Sequence, residues 1–231
     1  MNDVYEFYDL DGTIFRFHDE VKYIERMYEE GFFKNLKPFQ PLVDAINERI
    51  SEGKNVYFLT AVIDSKFCES EKIEALKSLF PSFKAKMFIP VKMGENKFEK
   101  VKSVLGDVEG KRLVLFDDYN KNLAEWKGVA VKVVNNINDR GTGLYGGEKG
   151  NLWQGERIHN ESSLVYSEIE TACDKYFYAL GDDKTVDRLS KLNVPFEKAL
   201  GKNGTPYLRI DKQYKAQYFS SKNNNTKGVV L

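Results

Sequence analysis

A short apolar run, Val4-Tyr5-Glu6-Phe7-Tyr8, leads without a spacer into Asp9-Leu10-Asp11-Gly12-Thr13, and this junction constrains the chain more than any other stretch. The run reads as a buried strand, whose carboxyl end is a poor place to crowd like charges. On an extended backbone, residues two apart point to the same side. Asp9 and Asp11 therefore repel one another unless something cationic sits between them. Gly12 permits a sharp turn, and the Thr13 hydroxyl can hydrogen-bond into it. The spacing suits a divalent metal held beside an anionic nucleophile. At ordinary residue usage, four specified residues recur by chance about once in 10⁵ positions, so an accident in a chain of 231 residues is rare. The bland alternative is an Asp-rich turn closed by an Asx hydrogen bond.

Composition limits the partners. Lys+Arg and Asp+Glu number 35 each, so the net charge is zero. No global basic field draws the chain to nucleic acid, although a local patch is left open. A hydrophobic fraction of 42% and a charged fraction of 30% describe a soluble globular protein with room for one large core and a small appendage. No apolar run reaches membrane-spanning length, and the amino terminus shows no secretory pattern. Cys68 and Cys173 lie far apart without metal-type spacing, so reduced thiols in a cytoplasmic protein are expected. His18 and His159 are the only histidines, which argues against a histidine triad or zinc site and leaves the chemistry to carboxylates.

Beyond Thr13 the periodicity predicts alternating helices and strands. Asp19 suits a helix N-cap, with Val21, Ile24 and Tyr28 on one stripe and Tyr23 and Met27 alongside. A Phe-rich turn, Gly31 to Pro38, precedes a helix opened by Pro41 and closed by Gly53, with Leu42, Ala45, Ile46 and Ile50 buried. Asn55 to Thr60 reads as a strand ending in a hydroxyl, followed by Ala61. Asp64 to Phe80 reads as a helix with a charged face and an apolar side of Phe67, Ile73, Leu76, Leu79 and Phe80. Lys86 to Pro90 is a further strand, and Asn96-Lys97 opens a helix with Val101, Val104 and Leu105 inward. A cation at a helix amino terminus opposes the helix dipole, so Lys97 stands out as functional, with Lys92 as its competitor. Arg112 to Phe116 is the clearest buried strand and ends in Asp117-Asp118, acids suited to a metal or to capping the next helix. A short helix over Tyr119 to Trp126 and a strand over Val129 to Val134 complete the pattern. Gly141 to Gly155 reads as a loop, either a lid or a plain connector.

This alternation predicts an α/β fold, a doubly wound parallel sheet of five strands, in which ligands bind beyond the carboxyl ends of the strands. Asp9, Asp11, Thr60 and Asp117 all fall there, contributed by three separate strands. The last third differs. One helix is expected over Glu161 to Leu180 and another over Asp183 to Leu192. A hairpin of Pro195–Leu200 and Pro206–Ile210 turns at Gly201 to Gly204, a final helix follows over Asp211 to Phe219, and the tail is polar. The expected domains are a core over 1–155, a small α+β appendage of α-β-β-α type over 156–219, and a flexible tail over 220–231. Lysines and tyrosines of the appendage (Tyr207, Tyr214, Tyr218) suit nucleic acid or, equally, a solvated face.

The sequence DLDGT, the strand ending in Thr60, Lys97 at a helix start and the strand ending in Asp117-Asp118 occur in the order of the four motifs of the haloacid dehalogenase (HAD) superfamily, which the chain resembles over Asp9 to Asp118. The resemblance implies a Mg²⁺-dependent phosphatase with Asp9 as nucleophile and Asp11 as acid and base. It places Thr60 and Lys97 on the transferring phosphoryl group, and metal ligation at Asp9, Asp11 (through its backbone carbonyl), Asp117 and Asp118. It makes residues 14–40 a minimal cap, and Gly12 and Ala61 part of the substrate site. The stretch Gly31 to Pro38 resembles 5'(3')-deoxyribonucleotidases, in which Phe32 and Phe33 would border the pocket; the two rings suit stacking on a nucleobase or packing in the core. The segment before that turn is shorter here than in those enzymes. DDYNKNLAEW, VKVVNNIN and the WQG around Trp153 resemble a phage and bacterial branch of the superfamily. The expected substrate is a small phosphorylated molecule, with a (deoxy)nucleoside monophosphate in view. Alternatives are a polynucleotide-end phosphatase, or a HAD scaffold serving as a binding module through its appendage.

Overall fold

The computed structural model describes residues 4–135, 153, 155–200, 204–211, 214, 217 and 218. Its centre is a six-stranded parallel sheet of β1 (Val4–Tyr8), β2 (Asn55–Val62), β3 (Phe88–Lys92), β4 (Arg112–Asp117), β5 (Val129–Val134) and β6 (Glu156–His159). The spatial order is β3-β2-β1-β4-β5-β6. The chain thus builds outward from β1 to one edge, then returns to lay β4 against β1 and builds the other half. Tyr8 of β1 is paired with Phe58 on one side and Phe116 on the other, so the carboxyl ends of β1, β2 and β4 open at one rim. A parallel sheet with this order has its crevice where the order reverses, between β1 and β4.

The helices are α1 (Phe17–Glu20), α2 (Gln40–Ser51), α3 (Cys68–Leu79), α4 (Lys97–Leu105), α5 (Asn120–Glu125) and α6 (Val165–Glu170). Strand alternation sorts them onto two faces. Phe7, Leu59, Leu113 and Leu115 pack with Phe98 and Val101 of α4 and Leu123 of α5. The intervening residues turn the other way: Glu6 receives Nε of Arg49 of α2 at 3.0 Å, and the Phe58 ring lies 4.7 Å from that of Phe80, just past α3. The sheet is therefore covered on both sides, as the sequence pattern predicts. Glu6 and Arg49 are both fully buried, and Tyr8 Oη donates to Glu6 Oε2 at 2.8 Å, so the charge on this face is paired.

Several expectations need correction. The sheet has six strands, not five: β6 pairs in parallel with β5, Val133 opposite Ile158. Its four residues alternate buried Glu156 and Ile158 with less buried neighbours, a pattern too short and too polar to stand out. The first compact unit accordingly runs to Ile169 rather than ending at 155, and the second begins at Glu170. In the 14–40 segment, Asp19 lies inside α1 rather than capping it, and Ile24–Tyr28 forms a 3₁₀ turn. Val21 and Met27 are buried there, whereas Tyr23, Ile24 and Tyr28 are exposed, so that stripe does not form as a single face. Val104 of α4, expected inward, is also exposed.

The second unit holds β7 (Tyr176–Leu180), α7 (Asp183–Lys191), β8 (Phe196–Leu200) and β9 (Pro206–Asp211), in an antiparallel sheet ordered β7-β9-β8. The helix expected over 161–180 stops at Glu170, passes through a π turn and becomes β7. The run Tyr176-Phe177-Tyr178 carries the aromatic bias of a strand. The module is thus β-α-β-β over its described part, and most of the final helix, the tail and the Gly141 to Gly155 loop lie outside the described residues. The expected α7 and the β8–β9 hairpin are present. Asp182 caps α7 by accepting from Thr185 N at 2.7 Å. Leu189, Val194, Leu208 and Ile210 form the small core of this unit. Among the described residues no helix is long and apolar enough to cross a membrane. Cys68 and Cys173 are buried thiols, not joined in a disulfide.

Candidate active site

Strand parity decides which helix can serve which acid. Phe7 and Asp9 share a side of β1, and Leu113, Leu115 and Asp117 share a side of β4. That is the side covered by α4. Lys97, the first residue of α4, is buried and places Nζ 2.5 Å from Asp9 Oδ1 and 2.6 Å from Asp117 Oδ2. Asn96 caps the helix by accepting from Glu99 N at 3.1 Å, which fixes where that lysine begins its reach. Lys92, the competing lysine, is exposed.

Asp9, Asp117 and Asp118 each bring a carboxylate oxygen within 4.8 Å of the other two. All three are buried, at 6%, 0% and 2% exposure. Asp117 is further fixed by Tyr119 N at 2.8 Å and Asn122 Nδ2 at 3.0 Å. Asp118 accepts from His18 Nε2 at 3.0 Å and from Asn135 Nδ2 at 2.9 Å. Asn135 Nδ2 also donates to Gly12 O, at 3.0 Å. Gly12 has φ +82°, and a Cβ there would collide with Asp118 Oδ2 and stand 2.7 Å from His18 Nε2. Glycine is therefore required twice over, for its backbone and for the room it leaves. Its place is against Asp118 and His18, as a spacer behind the acids.

The electrostatics follow from burial. Burial pushes Asp9 up to about 8, Lys97 opposes that rise, and Asp117, Asp118 and Asp11 add to it. Asp117 is raised as well, by burial first, against the pull of Lys97. Burial alone would lower Lys97, but Asp117 and then Asp9 more than reverse this and hold it protonated. Burial likewise opposes the His18 cation, and the hydrogen bond and charge of Asp118 outweigh it, so His18 is raised. Contacts of 2.5–2.6 Å mark a charged pair at Lys97. The upward pressure on the acids is what a further cation would relieve. An all-oxygen, three-carboxylate group of this kind fits a hard divalent ion.

On the opposite face a second constellation gathers. Thr60, fully buried, follows Phe58 on the α3 side of β2. Lys72 of α3 sends Nζ to Asp11 Oδ2 (2.6 Å), Thr60 Oγ1 (3.0 Å) and Ala61 O (2.7 Å). The two Asp residues of DLDGT are thus separated: Asp9 joins the acid group with Lys97, and the Asp11 side chain pairs with Lys72 instead. Phe32 and Phe33 are buried, pack edge to face at 5.0 Å, and Phe33 presents its face to Lys72 at 4.8 Å. Both rings thus pack in the core, and Phe32 also lines a small cavity with Arg26, Gly31 and Asn35.

Lys72, His18 and Asn135 were missed from sequence. For Lys72 a signal existed. Cys68, Glu71, Lys72, Ala75 and Leu76 are the buried face of α3 and follow helical spacing, so two charges sit inside an inward stripe. For His18 and Asn135 no local signal distinguishes them.

The fold and site together define a parallel α/β protein with a buried three-aspartate group able to hold a metal ion. A scan against models of protein families finds no match for this chain, and a search of curated proteins finds no relative.

Proposed function

We propose that the protein is a Mg²⁺-dependent phosphomonoester hydrolase of HAD type that works through an aspartyl-phosphate on Asp9. The observation that carries this reading is Lys97, buried between Asp9 and Asp117 with Asp118 completing the acid group, while Asp11 and Thr60 meet at Lys72. Asp9, Asp117 and Asp118 would hold the ion. When bound, Mg²⁺ supplies charge that offsets the repulsion between a carboxylate nucleophile and a dianionic phosphate, roughly 4 kcal/mol per charge pair at 4 Å and an effective dielectric near 20.

The chain's own residues carry the steps. An Asp9 carboxylate oxygen bonds to phosphorus, and the phosphorus–ester oxygen bond breaks with its electron pair on the departing oxygen. Asp11 gives that oxygen a proton, then takes one from the water that attacks the aspartyl-phosphate, releasing inorganic phosphate and restoring Asp9. Lys97 orients Asp9, and the Thr60 hydroxyl together with Lys97 stabilises the equatorial oxygens.

The test is hydrolysis of 4-nitrophenyl phosphate with Mg²⁺ by wild type and Asp9→Asn. The expected result is loss of activity by at least about 10³-fold in the variant. Equal activity in both, or none in either, removes the enzyme and leaves the binding-module alternative. Nucleoside monophosphates, sugar phosphates and 3'- or 5'-phosphorylated oligonucleotides, run side by side, then sort the nucleotidase reading from the polynucleotide-end one.

A further inference from the structure

The geometry points to Lys72 as a positioning residue that fixes the Asp11 carboxyl so that Oδ1 is the oxygen that exchanges the proton. The inference rests on the phosphohydrolase reading and adds to it a residue from a different element, α3, on the other face of the sheet.

An ammonium has three donors, and all three of those on Lys72 are engaged: with Asp11 Oδ2, Thr60 Oγ1 and Ala61 O. At 2% exposure and boxed by the Phe33 ring, this ammonium has no room to sample other partners. Glu71, its neighbour on the same helix, holds that ring in place by accepting from Gly31 N and, at 3.0 Å, Phe33 N. The box therefore runs from the 31–33 turn through Phe33 to Lys72, and from Lys72 to Asp11.

The consequence for Asp11 is asymmetric. Oδ2 is tied down, whereas Oδ1 is shielded from solvent and accepts no hydrogen bond among the described residues. A buried polar atom left this way is costly, and such atoms normally have an explanation. Here the missing partner is the ester oxygen of the substrate. The same lysine acts on Thr60: it donates to Oγ1 at 3.0 Å and fills an acceptor position of the hydroxyl, which itself donates to Ala61 O at 3.4 Å. The proton on Oδ1 passes to the departing oxygen as the phosphorus–oxygen bond breaks, and a water proton later returns to Oδ1.

Proton donation matters most when the leaving oxygen is a poor one. Alkyl phosphates need it; 4-nitrophenyl phosphate, whose phenolate departs unaided, hardly does. The experiment compares kcat on an alkyl phosphate and on 4-nitrophenyl phosphate for wild type, Lys72→Met and Asp11→Asn, each checked for folding by circular dichroism. If Lys72 positions Asp11, Lys72→Met loses about 100-fold on the alkyl ester and less than about 5-fold on the aryl ester. The double variant Lys72→Met/Asp11→Asn then shows the same alkyl-to-aryl ratio as Asp11→Asn alone. Equal losses on both esters, or additive losses in the double variant, overturn the inference and leave Lys72 as a staple between α3 and β2. Should Lys72→Met fail to fold, Lys72→Gln, which keeps a donor without the charge, is read by the same ratio. Failure of the enzyme reading itself is separate, since it appears as inactivity of the wild type.

Discussion

Replacing Lys97 with methionine keeps the length of the side chain and removes the ammonium between two buried acids. The side chains of Lys97, Asp9 and Asp117 are 4%, 9% and 0% exposed, so water cannot take over the lysine's role without entering the core. The three carboxylates approach within 4.8 Å, where each ionised pair repels by about 3.5 kcal/mol at an effective dielectric near 20. Breaking a buried pair by deleting one partner costs about 3–5 kcal/mol. In a unit of this size that corresponds to a fall in Tm of about 6–20 °C. The assay is thermal unfolding in a chelator and in Mg²⁺, because a ligand that binds only the folded state stabilises it, by about 2.7 kcal/mol at a hundredfold excess over Kd. The Mg²⁺-dependent rise in Tm should be larger in the variant than in wild type, since Lys97 and the ion compete for Asp9 and Asp117. The penalty also depends on pH. The folded value of Asp9, about 8, lies above its ordinary 3.8, so in the metal-free protein its favourable contribution is present below 3.8 and is lost as pH rises through about 8. The variant should therefore be closest to wild type in acid. A Tm within about 1 °C of wild type in chelator at neutral pH, or no response of either protein to Mg²⁺, refutes the charge argument.

Two further outcomes follow from the same structure. Gly12→Ala forces a side chain into φ +82° and against Asp118 and His18, so it should cost about 1–3 kcal/mol in urea unfolding and weaken the Mg²⁺ response, because Asp118 must move. Asp182→Ala should destabilise α7 at neutral pH but not in strong acid. The hydrogen bond from Thr185 lowers Asp182, so its contribution is present above the ordinary 3.8 and disappears as pH falls through the lowered value. Amide exchange of residues 183–191 in the two proteins, measured at neutral pH and in acid, checks this.

How much of this was legible in advance depends on the range of the interaction. The junction of β1 with DLDGT and the acids ending β4 are local, because strand propensity and period fix the element; Thr60 was expected to end its strand, but β2 continues to Val62 by pairing with β3. Lys97 was readable for a related reason, because a cation opening a helix contradicts its local environment. Lys72 is the instructive contrast. Helical spacing places it on the buried face of α3 beside Glu71, yet a helix rich in charge reads as solvated until something is known to receive those charges. Its receivers, Asp11, Thr60 and Ala61, lie 61, 12 and 11 residues away in sequence.

Other features were decided by tertiary structure alone. Glu156 to His159 is too short to nucleate a strand and becomes one by completing the hydrogen bonds of β5. Likewise β7 takes its partner from β9, more than two dozen residues on, and overrides a helical period carried over from α6. Two acids written two residues apart meet different lysines, because parity along β1 turns Asp9 toward α4 while the Gly12 turn hands the Asp11 side chain to α3. Sequence determines which groups are charged and which elements carry them; only packing on both faces of one sheet determines which charges meet.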